Sequence, residues 1–485
     1  MPWYPHRKDV RPSRRRVLAA LAAAGVGISL GGCGPTSPRP GGPRGGPSPT
    51  PPPTGEGPTG PAASVSPSAP ATAIPSAVPP TATPTPVPRT LALWTTRPDS
   101  PWLKAISAAA DLLTAIHPNL RVEVSGGHSD FGKIVESFGT LQAPDVIEPG
   151  DLVPFAARSL VQPLDHLLTS DTVDASNYLP AMWENGSWRG KAYGIPALDH
   201  GPELGLVWNT SLTATASAPQ TWSDLYVFGR QLTRRDAGGT IQTLGFDPLD
   251  GVGGILDTVR DVTGQDWFDS ASNHVTIDNP VFRSFVDGIV GYYRAVGIEQ
   301  VLSFRKTYPP MTGSPRSAVN VGREVAILNG YWSVAEVDQL ARDRSWAFNF
   351  AWPPTLTGGT RVQRVGGRIL AIPTIATAVD DAWALVSVLC GDSANRTLYE
   401  QVGTCAMTRS FLKTGAWQGR PGMQFYVDSL GQATRLTSRS NNVVAGFAQA
   451  KWTEAIGEVL GGTQSTTDAL KAAQVDIQTE VSRAR

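Results

Sequence analysis

Thr90-Leu91-Ala92-Leu93-Trp94-Thr95 is a short apolar run with the make-up of a buried strand. Just after it, from Pro101, apolar residues fall at Trp102, Leu103, Ile106, Ala109, Leu112, Leu113 and Ile116. That spacing predicts a helix, with Ser100 as N-cap and Pro101 as its first residue. His117-Pro118-Asn119 ends it. Leu120-Arg121-Val122-Glu123-Val124 alternates as a second strand and stops at Ser125-Gly126-Gly127. Phe131 to Leu141 reads as a second helix and Asp145-Val146-Ile147 as a third strand. Strand and helix therefore alternate from Thr90 to Ile147, which predicts an α/β fold with a largely parallel sheet. Ligands of such sheets lie outside the carboxyl ends of the strands. This marks Trp94-Thr95-Thr96, Ser125-Gly126-Gly127-His128 and Glu148-Pro149-Gly150-Asp151 as one rim.

Upstream the composition changes sharply. Of the 42 prolines, 19 lie between Gly34 and Arg89, a stretch with no aromatic residue. Such a segment buries too little apolar surface to offset chain entropy. It reads as an unfolded, partly polyproline spacer with a reach on the order of 170 Å at ~3.1 Å per residue. Before it stand Ser13-Arg14-Arg15-Arg16-Val17-Leu18, an apolar run to Leu30, and Gly31-Gly32-Cys33. A basic start followed by a short Ala/Gly-rich apolar run is a signal peptide. The arginines resemble a twin-arginine export signal. Leu30-Gly31-Gly32-Cys33 resembles a lipobox, which implies cleavage before Cys33 and a lipid on its thiol. Residues 1–32 are thus read as the signal and 33–89 as the lipidated cysteine plus linker. Gly27-Ile28-Ser29-Leu30-Gly31 matches a hydrolase nucleophile elbow, but it lies inside the signal with no strand before it.

The chain has 485 residues, with 41 Lys+Arg balanced by 41 Asp+Glu, so no basic surface for nucleic acid is indicated. Only three cysteines exclude a disulfide-framed miniprotein. The five histidines beyond the signal, at 117, 128, 166, 200 and 274, have neither i,i+4 nor Cys partners, so neither metal nor cofactor is expected. Thirteen tryptophans follow residue 90, a heavy aromatic load.

Further motifs run in order along the body. Pro144-Asp145-Val146-Ile147, Ala156, Leu160 and Gln162-Pro163-Leu164-Asp165 come first. Gly190-Lys191-Ala192-Tyr193-Gly194-Ile195-Pro196, Leu206-Val207-Trp208-Asn209 and Pro219-Gln220-Thr221-Trp222-Ser223-Asp224-Leu225 follow. Gly322 to Trp332, Gly366 to Pro373 and Asp381 to Leu385 complete the series. Taken in order, the set resembles family 1 extracellular solute-binding proteins, the maltose-binding-protein-like lipoproteins of ABC importers. Ser159-Leu160 and Ile327 depart from the family pattern at packing positions.

The resemblance implies a type II periplasmic-binding-protein fold, two α/β lobes hinged by crossover strands. Lobe one is expected at 90–203 plus 325–415 and lobe two at 204–324 plus 416–485. Crossovers are expected near Asp199–Val207 and Gly366–Ile372. It further implies a monomer without enzymatic activity, held at the outer face of the membrane by its lipid. Such a protein would carry a mono- or oligosaccharide to the transmembrane subunits of an ABC permease.

Candidate ligand residues are Trp332 and Trp94 as ring platforms, Asp151 and Asp199 as hydroxyl acceptors, and Gly367 for close backbone approach. Glu203, His128, Trp267 and Trp352 are weaker candidates. Competing readings are a core tryptophan for Trp332 and a helix cap for Asp151. Cys390 and Cys405 remain in the body and could form a disulfide. A glycerol phosphate ester is the alternative solute, with Arg97 and Arg368 as its cations. A surface glycan hydrolase is the alternative of another class, and it would need two catalytic carboxylates about 5–9 Å apart.

Overall fold

The computed structural model describes residues 88–484, apart from 141, 170, 214–216 and 311–314. The signal, Cys33 and nearly all of the Pro-rich stretch lie outside the described residues. Labelled in chain order, the elements used below begin with β1 (Arg89–Thr95), α1 (Ser100–Ile116), β2 (Leu120–Ser125), α2 (Phe131–Ser137) and β3 (Val146–Glu148). Then come β4 (Ile195–Pro202), β5 (Gly205–Asn209), β6 (Ile241–Phe246), α3 (Leu256–Thr263), α4 (Ile298–Thr307), β7 (Glu324–Asn329) and α5 (Ser333–Arg344). The last are β8 (Phe348–Ala351), β9 (Val362–Leu370), α6 (Pro421–Gln432), β10 (Arg435–Ser438), α7 (Ala445–Leu460) and α8 (Thr466–Arg483).

The first sheet is parallel in the order β2-β1-β3. Its register sets Trp94 beside Ser125 and Ile147, and Thr95 beside Glu148, so the three carboxyl ends share one edge. Asp145 ties the edge strand in, accepting from the Ala92 amide at 2.9 Å and from Arg89 at 3.1 Å. α1 is capped one residue earlier than its sequence implied. The Asp99 carboxylate accepts from the Trp102 amide, and Pro101 is the second helical residue. α2 ends at Ser137 instead of Leu141.

Two large cores divide the body. Leu91, Leu93, Trp102, Ile106, Leu198, Leu370, Trp383 and Tyr426 belong to the first. Leu204, Leu206, Trp222, Phe246, Phe285, Leu328, Val362, Trp452 and Ile477 belong to the second. The second core lies on a five-stranded sheet ordered β8-β5-β7-β6, with Arg234–Arg235 at its edge. A third sheet, β10-β9-β4, links the two lobes. Along β4 the chain passes from Leu198 in the first core to Leu204 in the second. It passes back between Val362 and Val365 on β9, which pairs antiparallel to β4.

Two expected boundaries therefore move. β7 was assigned to lobe one, yet it pairs between β5 and β6 and sends Leu328 into the second core. The stretch after 415 was assigned to lobe two, yet α6 places Met423 and Tyr426 in the first core. The last passage falls between Leu436, packed on the first core, and Val444 in the second. Strand pairing with residues far off in sequence decides these memberships, and hydropathy does not report it. No described helix is long and apolar enough to cross a membrane.

Candidate functional site

The common edge of β1, β2 and β3 is organised around one buried carboxylate. Glu148 accepts from Thr95 Oγ1 at 2.6 Å, from the Thr96 amide at 3.0 Å and from Thr96 Oγ1. Arg368, arriving on β9, pairs with Glu148 at 3.0 Å and also donates to Thr96 Oγ1. Burial alone would lower the Arg368 pKa, but Glu148, Asp199 and Asp99 raise it on balance. Its charge is thus already committed within the rim.

Trp94 is half-buried, and His128 covers one face of its indole, with ring centroids 3.9 Å apart and planes 11° from parallel. His128 is held from behind by Ser125 Oγ at 2.7 Å from Nε2, and burial lowers its pKa. Asp151 accepts from the Val153 amide at 3.2 Å, but the N-cap of the short helix Val153–Ala157 is Leu152 and it has no side-chain cap, so Asp151 is not the cap that its place in the sequence suggested. Burial holds its carboxyl up at about 6, with the Val153 amide and Arg439 opposing and Asp257 adding. Asp151 on lobe one therefore senses charges from α3 of lobe two and from the connection after β10.

Asp199 is buried on β4 and accepts from the Tyr331 hydroxyl at 2.6 Å. Trp332, just before α5, is half-buried and packs against both cores. Gly367 has φ +143°, and a Cβ there would lie 2.0 Å from the Asp199 carbonyl oxygen. Its missing side chain serves the close approach of β9 to β4. Trp267 is a core residue whose Nε1 donates to Ser440 Oγ at 3.1 Å and to Asp257 Oδ1 at 3.2 Å. Trp352 packs edge-on against Phe425 at 5.8 Å.

Glu203, just after β4, ties that strand to β9 and to the connection after β10. It accepts from Arg364 Nε at 2.8 Å and from Arg439 Nε at 2.8 Å. Burial raises its pKa, but the two guanidinium groups outweigh that and hold it low. The chain from Ser438 to Asn441 straps the lobes together on the same side. Ser438 donates to Glu184 at 2.8 Å and the Arg439 amide to Asn185 at 3.1 Å, while the Ser440 amide donates to Asp257 at 2.7 Å.

Sequence reading passed over Glu336 as a site residue. It lies four residues after Trp332 on α5, and that i,i+4 spacing was the available signal. Burial raises its carboxyl to about 7, opposed by Arg97. His200 on β4 was also not singled out. It is fully buried, and neither ring nitrogen has a hydrogen-bond partner among the described residues. Burial and then Arg439 lower its pKa to about 3, against Glu203.

A depressed pKa contributes stability that is whole above the unfolded value and drains away as pH falls toward the folded one. For His200 that window runs from about pH 6.5 to about pH 3. Its share should fall by about 2 kcal/mol between pH 6.5 and pH 5. Asp151, raised to about 6, acts with the opposite sign. Denaturant unfolding of the parent and of His200→Gln at both pH values isolates the His200 share. An equal acid response in the two would refute it.

Cys390 and Cys405 are both buried and remain free thiols, so the possible disulfide is not formed. Cys390 hydrogen-bonds with the Tyr178 side chain instead, and burial pushes its thiol up to about 12. Among the described residues no cluster of three or more His, Cys, Asp or Glu could hold a metal ion.

Solved structures share this architecture. CpMnBP1 with mannotriose bound aligns with a TM-score of 0.70 at 19% identity, covering 80% of this chain and 99% of that one. The Listeria monocytogenes ABC substrate-binding protein Lmo0181, in complex with cycloalternan, gives 0.66 at 13% identity, covering 81% and 99%. The maltose/maltodextrin-binding domain MalE of Bdellovibrio bacteriovorus, bound to maltotriose, gives 0.64 at 16%, covering 81% and 100%. At these identities the likeness establishes the two-lobed binding-protein fold. A search of curated proteins found no match. The family model described as "bacterial extracellular solute-binding protein" matches residues 108–424, and the chain belongs to that family.

Proposed function

We propose that this protein captures a carbohydrate between its lobes and delivers it to an ABC importer, without chemistry of its own. The observation that carries the reading is Trp332, an aromatic side chain packed on both cores beside the paired crossover strands. Sugars offer flat C–H faces to such rings and hydroxyls to the carboxylates around them. The charge balance of the rim favours a neutral solute over a phosphate ester. Arg368 is neutralised by Glu148, and Arg97 acts on Glu336. The structural neighbours named above hold mannotriose, cycloalternan and maltotriose. Trp94, Asp151, Asp199 and Gly367 belong to the same proposed cleft. Solute would select the closed arrangement of the lobes through contacts made only there. The twin-arginine-like signal and the Cys33 lipid would hold the protein outside the cytoplasmic membrane, where the Pro-rich spacer lifts the body toward solute. Release of Cys33→Ala from the membrane fraction would support that anchor, and firm retention would refute it.

Thermal unfolding against mono- and oligosaccharides, glycerol phosphates and amino acids tests the solute class. A saccharide at about 100 times its Kd should add about 2.7 kcal/mol. That shift should vanish in Trp332→Ala. A response to a phosphate ester alone would overturn the carbohydrate assignment. Hydrolysis of a glycan would overturn the binding-only role.

A further inference from the structure

We propose that Glu336 and Arg97 form a polar anchor that determines specificity, with a neutral sugar's hydroxyl entering between them while Trp332 carries the ring. The inference rests on the carbohydrate reading and deepens it. Trp332 has helical backbone angles, φ −60° and ψ −25°, directly before α5. Glu336, one turn on, therefore shares its helix face. Arg97 follows the end of β1, and its guanidinium lies over the Trp102 ring at 4.8 Å. A guanidinium stacked in this way keeps its N–H edge available for donation. Arg97 acts electrostatically on both Glu336 and Tyr331, and the Tyr331 hydroxyl donates to Asp199 on β4. β1, α5 and β4 thus face one small region.

Glu336 Oε2 is shielded from solvent and has no hydrogen-bond partner among the described residues. A buried carboxylate oxygen without a partner is costly, and a native protein that keeps one calls for an explanation. No ion pair within 4.0 Å joins it to Arg97. A group that accepts from Arg97 and donates to Glu336 would satisfy both side chains. A sugar hydroxyl does both at once and carries no charge. A phosphate would be repelled by Glu336, and an amine by Arg97. A site that hydrogen-bonds a particular hydroxyl rejects analogues lacking it far more strongly than an apolar pocket could.

The test is calorimetric titration of the full chain with mannotriose and maltotriose, and with monodeoxy analogues of whichever binds. Glu336→Gln keeps the side chain's shape and should weaken the trisaccharide at least about tenfold. Arg97→Gln should act similarly, and the double variant should lose little more than either single one. One deoxy analogue should bind the parent weakly yet lose nothing further in Glu336→Gln, a pattern that a merely structural role would not produce. If the parent binds and Trp332→Ala does not, but Glu336→Gln and Arg97→Gln bind within twofold of the parent, the anchor is overturned and the carbohydrate reading stands. If neither trisaccharide binds the parent, the anchor for these sugars falls together with the reading beneath it.

Discussion

Replacing Arg305 with methionine is expected to destabilise the protein by about 3–5 kcal/mol, read as a lower midpoint of urea unfolding. Arg305 on α4 faces three buried carboxylates. It lies 2.8 Å from Asp247, 2.9 Å from Glu324 and 3.0 Å from Asp250. The Tyr293 hydroxyl also donates to Asp247. Burial alone would lower the Arg305 pKa, but Glu324, Asp250 and Asp247 more than offset it. Burial pushes Glu324 and Asp250 up despite Arg305, so these carboxyls resist ionisation even with their cation present. Methionine would take that cation away together with its bonds to Asp247 and Glu324. A raised folded-state pKa favours the folded state at low pH and loses that contribution as pH rises through the folded value. The deficit of the variant should therefore be larger at pH 8 than at pH 5. A loss under about 1 kcal/mol at pH 7 would refute the assignment, because breaking a buried pair from one side strands the other charges.

Arg364→Met is the second large effect, expected near the lower end of the same range at about 3 kcal/mol. Arg364 is fully buried on β9 where the chain passes between the cores. It pairs with Glu203 at 2.8 Å and with Asp261 of α3 at 2.9 Å, and bonds Thr258 at 3.1 Å. One side chain therefore joins a crossover strand to a lobe-two helix. The cost stays below that at Arg305 because each carboxylate keeps a second cation, Arg439 for Glu203 and Arg260 for Asp261. Small-angle scattering should also register a shift in lobe separation. Full stability with an unchanged scattering curve would remove Arg364 from the hinge.

Several parts of the molecule were legible before any coordinates. Alternation at Leu120–Val124 and the 3.6-residue spacing from Trp102 to Ile116 are local signals, since side-chain direction follows directly from backbone period. They fall within β2 and α1. Gly366-Gly367 reads as a place of close backbone approach, and a Cβ at Gly367 would indeed meet the Asp199 carbonyl oxygen. The order of motifs from Pro144 to Leu385 pointed to the solute-binding family, and the family model bears that out.

Other features depend on pairing across the fold. Glu324–Asn329 reads as an apolar strand wherever it is placed, and only its ladder with Gly205–Trp208 puts it in the second lobe. Cys390 and Cys405 stand 15 positions apart in sequence, yet the fold turns Cys390 to Tyr178 and leaves both thiols free. Arg368 looked like a cation available to an anion until Glu148, 220 residues earlier, was found against it. Glu336 was not singled out in the sequence, and only the fold shields its Oε2 and brings it under the influence of Arg97. The sequence alone determined the periodic elements and their order, because those depend on neighbours along the chain. The tertiary structure decided which charges are spent and which remain for a ligand, because charges pair through space and burial sets what each pairing is worth.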